Sequence, residues 1–110
     1  MTARRFEVRW ADSARTDLLG IIGYLATADA AAADRLLGSL EKKAASLERF
    51  PVRGRLVPEL VRFQVRLYRE LQAPPYRLIY RVREHSVLVL AVLDGRRDLE
   101  DLLLDRLLRE

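Results

Sequence analysis

From Arg5 to Trp10 apolar and polar side chains alternate. Phe6, Val8 and Trp10 fall on one side and Glu7 and Arg9 on the other, which predicts a strand. The period then lengthens. Ala14, Leu18, Ile21, Ile22 and Leu25 recur at helical spacing, with Asp12 or Ser13 available as a cap. A second helix is expected to open at Asp29. Its apolar face would comprise Ala33, Leu36, Leu37, Leu40, Ala44 and Leu47, with Arg35, Glu41, Lys42 and Lys43 turned away. In "RFPVRGRLVPEL", Pro51, Gly54 and Pro58 interrupt any regular element and predict a loop.

Alternation returns in "FQVRLYREL", although which of its faces is buried stays open. After "APP" come two further strands, "YRLIYRVR" and "VLVLAVL", joined through Glu84, His85 and Ser86 as a hairpin. The last strand is apolar on both faces, which predicts a position covered from both sides, ending at Gly95. From Asp98, a suitable N-cap, "LEDLLLDRLLRE" predicts a terminal helix. It holds more leucine than one face needs, so Leu103 and Leu107 are expected to meet a partner. The order β-α-α-β-β-β-α predicts an α+β fold: a mostly antiparallel sheet packed against an N-terminal helical hairpin and a C-terminal helix.

Composition narrows the chemistry. A chain of 110 residues, half apolar and a third charged, is expected to form a single domain over 1–110. There is no cysteine, which excludes disulfides and thiolate chemistry and suits a reducing cytoplasm. No apolar run is long enough for a signal peptide or a membrane span, so no membrane partner is expected. A lone His85 and scattered acidic residues suggest neither a metal nor another cofactor.

The net charge of +4 is unevenly placed. Basic and acidic residues number 8 and 7 from Met1 to Arg49, 8 and 2 from Phe50 to Arg83, and 4 and 7 thereafter. The cationic middle third points to an anionic partner.

Within "PPYRLIYRV", alternation sets Tyr76, Leu78, Tyr80 and Val82 toward a core. Arg77, Arg81 and Arg83 then share the opposite face with Ile79, roughly 6.7 Å apart along the strand. Arg96 and Arg97 follow the neighbouring strand. Such a cluster could grip phosphate or carboxylate with paired donors, or could line a wet sheet face that needs no function. Tyr76 and Tyr80 face away from these arginines, unlike the interleaved aromatics of single-strand nucleic-acid binders.

The ordered set "V-x-W…A…DL…I-x-x-Y-L" from Val8 to Leu25, "FPVRGRLVPEL", "YREL", "PYRLIYRV" and "VLDGRRDLEDLL" resembles the RelE/ParE superfamily of toxins from bacterial type II toxin–antitoxin systems. The resemblance implies a growth-inhibiting toxin silenced by a cognate antitoxin in a hetero-oligomer. RelE-like members cleave messenger RNA on the ribosome, whereas ParE-like members bind DNA gyrase. By resemblance to the ribonucleases, Arg77 and Arg97 would stabilise the scissile phosphate, and Glu59 would match the general base of some members. Without that role Glu59 reads as a solvated loop residue. The chain departs from the ribonucleases at Tyr68 and Glu70, where they carry a lysine pair, and at Leu103, where they carry a tyrosine. A ParE-like protein without chemistry of its own is therefore expected, with Arg69, Arg81, Arg83, Arg96, Leu103 and Leu107 meeting the target or antitoxin. The alternative is the ribosome-dependent endonuclease.

Overall fold

The computed structural model describes residues 5–95 and 100–108, the side chains at 101, 102, 107 and 108 excepted. Strand β1 (Glu7–Trp10) leads into helix α1 (Asp12–Ala28) and helix α2 (Ala30–Ser46). A two-residue strand β2 (Arg55–Leu56) and a four-residue helix α3 (Pro58–Val61) follow. Strands β3 (Tyr68–Ala73), β4 (Tyr76–Val82) and β5 (Ser86–Asp94) and helix α4 (Glu100–Leu108) complete the order. The five strands form one sheet in the order β1-β5-β4-β3-β2, antiparallel except for the β1–β5 pair. The expected α+β arrangement is present, with β2 and α3 added where a loop was predicted.

That difference has a local cause. Pro58 does not break a helix when it opens one, because its missing N–H is an unused donor at the first helical turn. Asp29 caps α2 as its sequence position suggests, its Oδ1 accepting from the Ala32 N–H at 3.0 Å. At α1 the expectation fails. Ala11 is the capping residue and no side chain serves there; Asp12 lies in the first turn and the Ser13 hydroxyl donates to the Leu90 carbonyl. The run "FQVR", where alternation was read, is likewise not strand, and Gln64 takes a positive φ of 67° within it.

Each face of the sheet carries its own core. Leu71, Leu78, Tyr80, Val87, Val89 and Val92 pack on Ala14, Leu40, Ala44 and Leu47 of the helical hairpin. On the opposite face Tyr68, Ile79, Leu90, Ala91 and Leu93 pack with Val57, with Leu60 of α3 and with Leu103 of α4. Between Ile79 and Tyr80 the β4–β5 register slips past Leu90, a bulge that lets Leu90 and Ala91 both serve the second core. The face of Arg77 and Ile79, read as either an anion site or a wet sheet face, is therefore covered. Short α3 and terminal α4 supply that cover, and α4 is held by Arg106, whose guanidinium donates to both oxygens of Asp17 on α1 at 2.9 and 3.2 Å.

Gly54 sits where the chain has no room for a side chain. A Cβ there would lie 2.5 Å from the Glu70 carbonyl and 2.6 Å from the Tyr80 hydroxyl, to which the Gly54 N–H donates at 2.9 Å. Gly54→Ala is expected to lower stability by about 1–3 kcal/mol through forced backbone displacement. A urea midpoint equal to that of the parent protein would contradict this packing.

Candidate functional site

β2, β3, β4 and helix α3 bring four charged side chains together on the second face of the sheet. Arg55 lies directly opposite Glu70, and Arg77 stands diagonally across from Glu70 on β4. Glu70 is almost fully buried. It accepts from Arg55 Nε at 2.6 Å on one oxygen and from Arg77 Nε on the other. The remaining end of the Arg77 guanidinium donates in paired fashion to Glu59, Nη1 to Oε2 at 2.6 Å and Nη2 to Oε1 at 2.8 Å. Arg77 itself is only 8% exposed. Two carboxylates thus grip one guanidinium from two sides, and with Arg55 the formal charges of the four groups cancel.

The arrangement follows from the local sequence. Alternation in "YREL" and in "YRLIYRV" puts Glu70 and Arg77 on one face, and α3 carries Glu59 across that face in its first turn. Hydrogen bonding from Arg77 holds the Glu59 carboxyl below the ordinary carboxylate range, against the opposing effect of partial burial. The same bonds, with those to Glu70, keep the Arg77 guanidinium protonated throughout. Glu59→Gln is expected to cost about 1.5–3 kcal/mol near neutral pH. The folded-state pKa is depressed, so this contribution is present above the unfolded value of about 4.3 and is lost as pH falls through the folded value. Unfolding at about pH 7 and about pH 3 should show the gap between variant and parent closing in acid; a constant gap would refute the ion pair.

The sequence-derived residues fare differently. Arg77 and Glu59 meet, but as partners of each other, and Glu59 is a half-buried helix residue rather than a solvated loop residue. The expected open row of Arg77, Arg81 and Arg83 is not formed. Arg77 is buried under α3, Arg81 is half-buried over the Tyr68 ring at 5.9 Å, and Arg83 lies exposed beyond the strand end. Arg69 turns to the other face, its Nη1 donating to the Gly54 carbonyl at 2.8 Å. Leu103 is fully buried in the second core, so in this arrangement it offers no surface to a partner. Arg96, Arg97, Asp98 and Leu107 lie outside the described residues, Leu107 as regards its side chain. His85 is exposed in the β4–β5 turn, as predicted.

Sequence reasoning assigned no role to Arg55 and read Glu70 only as a departure from the ribonucleases. The signal for both was the strand register. An open, mostly apolar groove lies elsewhere, between α1, α2 and β1, lined by Val8, Trp10, Leu18, Leu19, Ala44 and Ala45 together with the charged Arg15, Glu41 and Glu48, with a volume of about 450 Å³. Among the described residues no group of three or more His, Cys, Asp or Glu side chains could hold a metal, and no helix is long and apolar enough to cross a membrane.

Residues 8–99 match the family model described as the ParE toxin of type II toxin-antitoxin system, parDE. The chain belongs to this toxin family. No curated protein matches it significantly in sequence. Among solved structures it resembles a chain of the chromosomal ParDE toxin-antitoxin system from P. aeruginosa, at 18% identity and a TM-score of 0.65, over 80% of this chain and 94% of that one. It also resembles a chain of the RelBE2 toxin-antitoxin complex from Mycobacterium tuberculosis, at 25% identity and a TM-score of 0.61, over 84% and 94%. The ParE-family protein described here is thus a toxin component of the RelE/ParE superfamily, and an antitoxin partner follows from that membership.

Proposed function

We propose that this ParE-family toxin inhibits growth from within the cytoplasm by binding a protein target such as DNA gyrase, without phosphodiester chemistry at Arg77, and that its cognate antitoxin silences it. The observation that carries the reading is the state of Arg77. Its guanidinium is already held by Glu59 and Glu70, so a phosphate arriving there would meet two carboxylates before it met a donor. Stabilising a pentacoordinate phosphate requires donors aimed at the developing charge, and here those donors are aimed inward.

The alternative is ribosome-dependent cleavage of messenger RNA, with Glu59 leaving Arg77 when RNA binds and Arg97 assisting. Induction from a tight promoter should arrest growth, and co-expression of the antitoxin should restore it. Purified toxin should then lower supercoiling by gyrase while leaving message on ribosomes intact. Codon-dependent cuts that disappear in Arg97→Ala would reverse the assignment, and unaffected growth would end the toxin reading altogether.

A further inference from the structure

Between Arg49 and Arg69 the chain contains six arginines, Arg49, Arg53, Arg55, Arg62, Arg66 and Arg69, no lysine, and one acidic residue, Glu59. That one carboxylate is turned onto Arg77, and five of the six arginines are exposed. Four large apolar side chains of the same segment also face solvent: Phe50 and Val52 are 61% exposed, Phe63 is 48% and Leu67 is 57%. Outside it, only Leu19 and Tyr24 on α1 are large exposed apolars among the described residues.

Part of the segment, around Val52 to Leu56 and Leu67 to Arg69, is tied along the β2 edge of the sheet, while Arg62 reaches Glu100 of α4 at 3.6 Å. Arg69 reaches from β3 to the Val52 and Gly54 carbonyls, Leu56 pairs with Arg69, and Leu67 lies two residues before Arg69 in the chain. Arg53 is steadied by the Ser46 hydroxyl at 2.8 Å. None of these apolar side chains is needed to fill either core, and exposed apolar groups set among charges of one sign mark an interaction surface.

We infer that this edge is a docking face for an acidic protein segment that carries apolar side chains. Charge complementarity requires an anionic occupant, and the apolar set selects between the anionic classes. Phe50 and Phe63 have π-faces that a base could use, but Val52 and Leu67 are aliphatic and offer none, and all four match leucine or phenylalanine on a peptide. The protein already answers its arginines with carboxylates where it folds on itself, at Arg55 with Glu70 and at Arg77 with Glu59. The inference deepens the target-binding reading and rests on it for the identity of the host protein alone; the chemistry of the face stands on its own residues.

The test is an anisotropy titration of the purified chain with three labelled probes: a short amphipathic peptide of glutamate, leucine and phenylalanine, the same peptide with glutamine for glutamate, and an oligothymidylate. The acidic peptide should bind best, the glutamine peptide about tenfold more weakly. Phe50→Ser with Val52→Ser, and separately Arg53→Glu with Arg66→Glu, should each weaken the acidic peptide about tenfold with unchanged circular dichroism. Oligothymidylate binding equal to or tighter than the peptide would replace the proposal with a nucleic-acid surface. Peptide binding that both double variants leave unchanged would remove it. A chain that binds the peptide through this edge yet fails to arrest growth would overturn the toxin reading and leave the docking face intact.

Discussion

Glu70→Ala should lower the unfolding free energy by about 3–5 kcal/mol. Glu70 is 1% exposed and stands between two guanidiniums, one of them 8% exposed. Truncation leaves Arg77 buried with Glu59 alone, so a charge desolvated against two carboxylates must make do with one. Arg55 suffers less, because its side chain is half exposed and water can take the place of the lost partner. Replacing Glu70 and Arg77 together by leucine should recover only part of the loss, since an apolar pair can take the place of a buried ion pair but Glu59 and Arg55 then lose their partners. Urea titration of the parent, the single variant and the double variant decides the matter. A single-variant loss below about 1 kcal/mol would mean the cluster behaves as a surface pair.

Leu103→Ala is expected to cost about 2–5 kcal/mol. The side chain is fully buried among Ile79, Leu90, Leu93 and Leu60, and with half-buried Leu104 it seats α4 on the second face. The Asp17–Arg106 pair holds the same helix against α1 but is partly exposed, so it cannot replace the missing packing. Unfolding should shift accordingly, and the loosened face should bind an apolar dye. Unchanged stability together with weakened antitoxin binding would instead restore Leu103 to the partner surface.

Much of this architecture was legible in the sequence because it rests on short periods. Alternation in 76–82 correctly divided Leu78 and Tyr80 from Arg77 and Ile79, and helical spacing correctly placed Leu40, Ala44 and Leu47 inward. What alternation cannot report is what lies over a face. The cover on Ile79 comes from Leu60 and Leu103, which are distant along the chain, and α3 is too short to show a period of its own. The candidate site was hidden for the same reason. Arg77 and Glu70 were each recognised as informative, but their contact depends on the β3–β4 register, and Glu59 reaches Arg77 only because Pro58 starts a helix where proline was read as an interruption. The family resemblance identified the protein's class; the pairing of Arg77 with carboxylates lies in the register.

Among the described strands β1 and β5 are the one adjacent pair that runs parallel, and they are far apart in the chain, Glu7 lying beside Ser86 and Trp10 beside Val89. During translation the first strand and the helical hairpin therefore leave the ribosome with their apolar stripes uncovered, waiting for a neighbour that is made long after them. A nascent chain stopped before Ser86 has no completed sheet, so the poison cannot be assembled until β5 has been made.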